Sequence, residues 1–297
     1  MLRACLDSLS RLTPPPGVDV VAIVVDNEPK PNNLEIVANA RPGSPIDIHY
    51  VHHPDPGIPQ ARNACLKTSY VLLADWIAFI DDDEIAATDW ISSLYASALK
   101  HKADVVTGPV KHCYPPDAAP WRRRSQYGDA GKYDGQELPT ASTNNVLIRR
   151  RSIPKGHMFS RELRFVGGED TLFFHQMHKA GAKIVWSVGG RVFEGVPWDR
   201  VTIAGHMRRS YRKGFCSVMT MRTRVAYGRA PRIAWLSVRR MLAGVAKVLA
   251  SPAFILFGTN ASMKTLLSGL RNLSEGAGVA VCLIGGSNSY YKKVSGG

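Results

Sequence analysis

The sequence predicts an α/β fold, a mostly parallel sheet with helices on both faces, followed by a basic amphipathic helical region. Three observations predict it. Short β-branched runs alternate with helix-like segments over the first two thirds, two of those runs end in acidic residues, and from about Thr202 arginines mix with apolar residues at helical spacing. The division falls between a domain of residues 1–200 and a region of residues 201–297. At 297 residues, 45% apolar and 21% charged, the chain has material for a sizeable core. The same composition excludes the disordered, collagen-like and disulfide-scaffold classes.

The elements follow in order. Val20–Val25 is a β-branched run ending at Asp26-Asn27-Glu28-Pro29, the pattern of a buried parallel strand and its loop. Asn32–Ala40 reads as a short helix, Ile46–Val51 as a second strand and Pro59–Leu66 as the start of a second helix. Trp76–Ile80 is a third strand running into Asp81-Asp82-Asp83-Glu84. Thr88 then caps a helix to about Lys102, and Ala103–Thr107 is a fourth strand. Open α/β sheets bind ligands beyond the carboxyl ends of their strands, so Asp26 and residues 81–84 mark a site. Residues 111–142 are rich in Pro, Gly, Arg and aromatics and read as a long functional or mobile loop. Order returns with a strand at Asn145–Arg149, a helix after Gly167-Gly168-Glu169-Asp170 and a strand near Ala182–Trp186.

Charge is unevenly placed. Residues 201–297 hold 15 Lys and Arg against one acid, Glu275, whereas residues 1–200 hold 23 of each sign, so the whole excess of +14 sits in the last third. That asymmetry predicts an anionic partner surface, membrane or nucleic acid. The cations are interleaved with long apolar runs rather than with aromatics for base stacking, which favours the membrane and predicts no nucleic acid. Met241–Phe257 is 17 residues with one charge and an interrupting Pro252, short of the about 20 that a span requires. Helices lying on the membrane surface are therefore expected. Five scattered cysteines without a CxxC pair predict a reducing compartment, and the opening Met1-Leu2-Arg3-Ala4-Cys5-Leu6-Asp7 predicts no cleaved leader.

Three motifs carry chemistry. Asp81-Asp82-Asp83 at a strand end packs three mutually repelling carboxylates, which a divalent cation such as Mg2+ or Mn2+ would neutralise through hard oxygen ligands. The alternative is a solvated acidic turn that caps the next helix. Glu169-Asp170 at a helix start are either acids favoured by the helix dipole or a carboxylate placed as a general base. Gly57-Ile58-Pro59-Gln60-Ala61-Arg62-Asn63 sets a glycine before a helix with Arg62 one turn in, an arrangement suited to phosphate or to simple solvation.

Taken together, Asp26, Gly57…Ala61-Arg62-Asn63, Asp81-Asp82-Asp83-Glu84, Thr143-Asn144-Asn145 and Gly168-Glu169-Asp170 resemble a family 2 glycosyltransferase of the GT-A fold. The wording of Tyr50-Val51-His52, Phe79-Ile80-Asp81-Asp82-Asp83-Glu84, Gly108-Pro109-Val110 and Gly167-Gly168-Glu169-Asp170-Thr171 is similar to the succinoglycan-type bacterial exopolysaccharide glucosyltransferases, over about residues 2–215. The resemblance implies a role for each residue. Asp26 would contact the uracil or ribose, Arg62 and Asp82 would help hold the nucleotide, Asp81 would face the ribose and Asp83 would bind the metal. Asp170 would be the general base of an inverting displacement. Arg209 and Arg212 would offset diphosphate charge, Trp121 and Glu169 would touch the acceptor sugar, and Asn145 the donor sugar. It also implies a UDP-sugar donor (UDP-glucose or a close relative), a lipid-linked saccharide acceptor and the cytoplasmic membrane face.

The sequence departs from that pattern twice. The family's first strand precedes the helix that matches Leu2–Leu12, whereas this sequence begins at the helix, so a start further upstream is expected. The late strand reads Val192-Phe193-Glu194-Gly195-Val196, with Phe193 where the resemblance implies a metal-binding histidine and Glu194 beside it as a substitute. Two other classes share some of these features. A metal-dependent nucleotidyltransferase shares the carboxylates but leaves Gly168-Glu169-Asp170 unexplained, and a nucleic-acid-binding protein would rest on the basic tail alone.

Overall fold

The computed structural model describes residues 1–123, 131–164, 167–224 and 230–286. They form two compact units, the first built from residues 1–113, 131–164 and 169–195 and the second from residues 114–123, 167–168 and 196–286.

The first unit opens with α1 (Leu2–Leu9) and alternates through β1 (Val21–Asp26), α2 (Leu34–Ala40), β2 (Asp47–His52), α3 (Ile58–Val71) and β3 (Trp76–Ile80). It continues with β4 (Glu84–Ala86), α4 (Trp90–Lys100), β5 (Val105–Thr107), β6 (Val110–Cys113), β7 (Asn145–Arg149), α5 (Glu169–Lys179), β8 (Ile184–Trp186) and β9 (Val192–Gly195). β1 and β2 pair in parallel, β3-β7-β5-β8 form a four-stranded sheet and β4-β9-β6 a three-stranded one.

The period-2 alternation of strand side chains divides the core between the two faces of the four-stranded sheet. Ile77, Phe79, Val105, Val146, Ile148 and Ile184 point to one face, where Leu66 of α3 and Phe173, Phe174 and Met177 of α5 cover them. Ala78, Ile80, Val106, Leu147 and Val185 point to the other, under Trp90, Ile91, Leu94 and Ala98 of α4. Helices on both faces are therefore required to bury the sheet, as the sequence predicts. A third cluster seats Leu6 of α1 on Ala22 and Ile48 of β1 and β2.

Several expectations are adjusted. The sheets are mixed: β3–β7, β5–β7 and β4–β9 are antiparallel, and β1–β2, β5–β8 and β6–β9 are parallel. Among the described residues between β6 and β7 there is no helix, and β7 lies between β3 and β5 antiparallel to both. Asp89, not Thr88, is the N-cap of α4, and Ser93 Oγ donates to its Oδ2 at 3.1 Å. The stretch 111–142 holds the end of β6 and a bridge from Glu137 to Val185, and residues 124–130 lie outside the described residues.

In the second unit α6 (Trp198–Val201) leads into α7 (Ile203–Arg224), α8 (Ala230–Ala250), a 3-10 stretch (Ser251–Phe257) and α9 (Thr259–Leu283). α9 packs on both α7 and α8. Glycines make the approach possible: a Cβ on Gly214 would meet the Glu275 carbonyl at 2.0 Å, and one on Gly278 the Tyr211 carbonyl at 2.0 Å. Ser237 Oγ donates to the Gly276 carbonyl at 3.1 Å across the α8–α9 contact. Glu275 receives Arg240 at 2.5 Å and Lys213 at 3.6 Å.

Candidate active site

The site is assembled at the carboxyl ends of β1 and β3 and the amino ends of α3 and α5. After Ile80 the chain turns tightly: Glu84 N–H donates to the Asp81 carbonyl at 3.1 Å, and Asp81 N–H donates to Glu84 Oε2 at 3.2 Å. Glu84, read in the sequence only as the end of an acidic run, is 1% exposed and takes a third hydrogen bond from Asn144 Nδ2 at 3.1 Å. Burial first, then the Asp81 carboxylate, pushes the Glu84 carboxyl up to about 9, with a smaller push from Glu194. Glu194 pairs with Glu84 across β4–β9, and His112 Nδ1 lies 3.0 Å from Glu194 Oε2. The turn is thus underlain by a carboxyl whose burial favours its neutral form.

Arg62 is the hub. Its guanidinium pairs with Glu169 at the start of α5, lies 3.7 Å from Asp81 Oδ1, and sits 5.9 Å from the centre of the Phe159 ring. Asn63 fixes this turn of α3 by exchanging two 2.9 Å hydrogen bonds with the Phe159 backbone. The Asp81 carboxyl is pushed up to about 6, chiefly by burial and then by Asp83, Asp82 and Asp170, while Arg62 pulls it down. Burial likewise raises the Glu169 carboxyl despite Arg62, and its Oε2 has no hydrogen-bond partner. Arg62 and Glu169 therefore spend their charges on each other inside the protein.

Asp170 stands beside them, half-buried. Ser142 Oγ donates to its Oδ2 at 2.8 Å, and Thr171 donates to Oδ1 from N–H at 2.5 Å and from Oγ1 at 3.2 Å. Asp26 is 2% exposed, with Oδ2 accepting from Asn33 N–H and the Tyr50 hydroxyl, both at 2.8 Å, and Oδ1 from Glu28 N–H at 3.3 Å. Burial pushes its carboxyl up, but these hydrogen bonds outweigh burial and hold it below the usual range. The residue after it closes the next loop: Asn27 accepts from Gly57 N–H at 2.6 Å and donates to the His53 and Asp55 carbonyls. Gly57 is required there, because its φ of 142° is open to glycine and a Cβ would strike the Gln60 and Arg164 side chains.

Asn145, expected at the donor sugar, has its whole amide occupied. It accepts from Trp90 Nε1 at 2.8 Å and donates to the Pro109 and Gly190 carbonyls at 2.9 and 2.8 Å. Asn145→Ala is expected to cost about 2–3 kcal/mol of stability in urea unfolding, because it orphans one buried donor and two acceptors. Asp82 is exposed on the turn. Trp121, Arg209 and Arg212 belong to the second unit, where the Arg122 guanidinium lies 4.8 Å from the Trp121 ring centre and Arg209 and Arg212 sit on α7. Sequence reasoning gave no role to Asn27, Tyr50, Glu84, Asn144 or Ser142. Tyr50, Glu84 and Asn144 stand within motifs of the resemblance and Asn27 beside Asp26, whereas Ser142 left no signal.

The profile of glycosyl transferase family 2 matches residues 1–156, and the succinoglycan biosynthesis protein ExoM of Rhizobium meliloti (strain 1021) is 37% identical over 215 residues, which are 72% of this chain and 69% of that protein. The chain belongs to glycosyl transferase family 2. Its fold is GT-A. Mannosyltransferase PcManGT from Pyrobaculum calidifontis, solved with GDP-Man and Mn2+, superposes with a TM-score of 0.61 at 16% identity, covering 95% of this chain and 83% of that one. S. aureus TarS gives a TM-score of 0.50 at 17% identity over 71% of this chain, which spans 37% of the TarS chain. The motifs quoted from the sequence up to Asn145 lie inside the profile match, and Glu169 and Asp170 lie beyond it.

The fold implies a divalent cation at these carboxylates. No group of three His, Cys, Asp or Glu among the described residues is arranged to hold a metal ion alone. Asp81 nevertheless feels the repulsion of Asp83, Asp82 and Asp170, which Arg62, already paired to Glu169, offsets only in part. A Mg2+ or Mn2+ held by one or two carboxylates and substrate phosphates fits this hard-oxygen cluster.

Proposed function

We propose that this glycosyltransferase catalyses an inverting, metal-dependent transfer of a hexose, glucose or a close relative, from a UDP-sugar to a lipid-linked saccharide at the cytoplasmic face of the membrane, in exopolysaccharide synthesis. The observation that carries the reading is the gathering of Asp81, Glu169 and Asp170 around Arg62 at the ends of β3 and α5. Family membership and the likeness to ExoM support the polysaccharide setting.

Asp170 is the base. It takes the proton of the acceptor hydroxyl as that oxygen bonds to the anomeric carbon, and the bond from that carbon to the UDP phosphate oxygen breaks, its electron pair leaving with UDP. Ser142 and Thr171 hold the Asp170 carboxylate in one orientation, so it need not be ordered during the reaction. A Mg2+ or Mn2+ held by Asp83, with Asp81 and Asp82 beside it, would neutralise charge on the leaving diphosphate. Asp26 and Asn27 shape the loop next to the nucleotide, Arg62 positions Asp81, and Glu169 anchors Arg62. Arg209 and Arg212 on α7 are assigned to the diphosphate and Trp121 to the acceptor sugar. Residues 1–200 make up the transferase domain and residues 201–297 associate with the membrane.

Calorimetric titration of UDP with Mn2+ tests the donor site. Asp83→Asn is expected to weaken binding at least tenfold. Asp170→Asn should leave UDP affinity intact while transfer of labelled glucose from UDP-glucose to membrane lipid extracts falls at least a hundredfold. Unchanged transfer in Asp170→Asn would sink the assignment of the base, and metal-independent UDP binding would sink that of the cation.

A further inference from the structure

α8 has two stripes of different fate. Ser237, Met241, Gly244 and Val248 recur at spacings of 4-3-4 and face α9, where Gly244 and Gly269 approach closely and Met241 fills the space over Gly276. Trp235, Val238, Leu242, Val245 and Leu249 recur at 3-4-3-4 on another side of the helix and are all exposed, Leu249 by 75%. At 100° per residue this second stripe lies opposite Arg240 and Lys247, which turn to Glu275 at 2.5 Å and Ser268 at 3.0 Å on α9. The apolar surface continues past the helix end into the 3-10 stretch, where Phe254, Ile255, Leu256 and Phe257 are exposed, Leu256 by 86%.

We infer that this stripe and the 3-10 tip are the surface by which the protein enters a bilayer, with α8 lying in the plane of one anionic leaflet. The inference deepens, and rests on, the membrane-surface reading above. Charge identifies the occupant. The stripe belongs to a region with 15 basic residues and one acid, and that acid is already paired with Arg240 and Lys213. Two copies of so basic a region would repel one another on approach, whereas an anionic leaflet complements its net charge. Residues Ala234–Phe257 are long and apolar enough to cross a membrane by length and composition. A crossing would, however, carry Arg239, Arg240 and Lys247 into hydrocarbon. Lying in plane keeps Arg240 and Lys247 away from the acyl chains and buries only the apolar stripe.

The test is sedimentation of the full-length protein with vesicles of mixed phosphatidylglycerol and phosphatidylcholine. Leu242→Gln/Leu249→Gln, and separately Ile255→Ser/Leu256→Ser, change exposed side chains without changing charge. Each is expected to weaken vesicle binding at least tenfold, with UDP–Mn2+ affinity unchanged. A wild type that ignores the vesicles overturns the membrane reading and this inference together. A wild type that binds, with variants that bind equally well, overturns this inference alone. So does a wild-type dimer that the stripe variants dissociate without loss of vesicle binding, which would make the stripe a contact between copies. Depth is read by Val245→Trp: its added fluorescence should be quenched more by lipids brominated near the headgroup than by those brominated at the chain ends. The reverse order would mean that the helix crosses.

Discussion

Arg62→Met is expected to lower the unfolding free energy by about 3–5 kcal/mol, the usual cost of stripping one partner from a buried ion pair. The reason lies with Glu169. It is 3% exposed, one carboxylate oxygen already lacks a hydrogen-bond partner, and the other is paired to Arg62. Without the guanidinium, Glu169 must either remain charged in a buried place or take up a proton, and Asp81 and Asp170 lose the same counter-charge. The loss should therefore depend on pH. Burial already raises the Glu169 carboxyl, and Arg62 is what pulls it down, so its removal raises it further. A carboxyl whose folded pKa lies above its unfolded one costs nothing while both states are protonated, and costs progressively more as pH rises. Arg62→Met should accordingly be milder near pH 4 than at pH 8. The double variant Arg62→Met/Glu169→Gln, with neither member of the buried pair left charged, should recover most of the stability at pH 8. Urea unfolding of the three proteins at both pH values decides the matter; a double variant no better than the single would mean that Arg62 acts by packing on Phe159 and not by charge.

The fold and the site were legible to different depths. β3 and β7 have the bounds that the sequence predicts, since each is a short run of apolar residues, β7 buried on both faces and β3 buried on one and half-buried on the other. β4, β6 and β9 escape a pattern reading because each is three or four residues long. They gain their partners only from one another, across large separations in the chain. The direction of β7 escapes for a related reason: alternation of strands and helices implies parallel crossovers, and nothing in Asn145–Arg149 itself states that it runs antiparallel to β3 and β5. In the site, the positions of Asp26, Arg62, Asp81, Glu169 and Asp170 were readable from motif order, but their local partners were not. A polar side chain at a strand end can meet a ligand or close a loop. Asp26 holds Asn33 and Tyr50, and Asn145 holds Trp90, Pro109 and Gly190. Such partners lie up to 55 residues away from the residue they satisfy, beyond the reach of any local pattern.

Glu84→Gln is the second large effect, and its sign is opposite to what loss of a hydrogen-bonded acid first suggests. The unfolded carboxyl titrates near its ordinary 4.5, whereas the folded one is pushed up to about 9 by burial and by Asp81. Between those values the native state holds a proton that the unfolded state has released. Stability then falls as pH rises, by up to about 1.4 kcal/mol for each pH unit. Glutamine carries no proton to lose. Its carbonyl can accept from Asp81 N–H, and a flip of the Asn144 amide presents an oxygen to its NH2 group, so both existing contacts are kept in form. In metal-free buffer the variant should match the wild type within about 1 kcal/mol at pH 5 and exceed it by at least about 2 kcal/mol at pH 9, with the steep fall of the wild type replaced by a flatter profile. Parallel profiles for the two proteins would mean that Glu84 is ionised in the native state. In that case four carboxylates, not three, would crowd the turn after β3, and the neutral support beneath Asp81, Asp82 and Asp83 would be lost from the argument for a cation there.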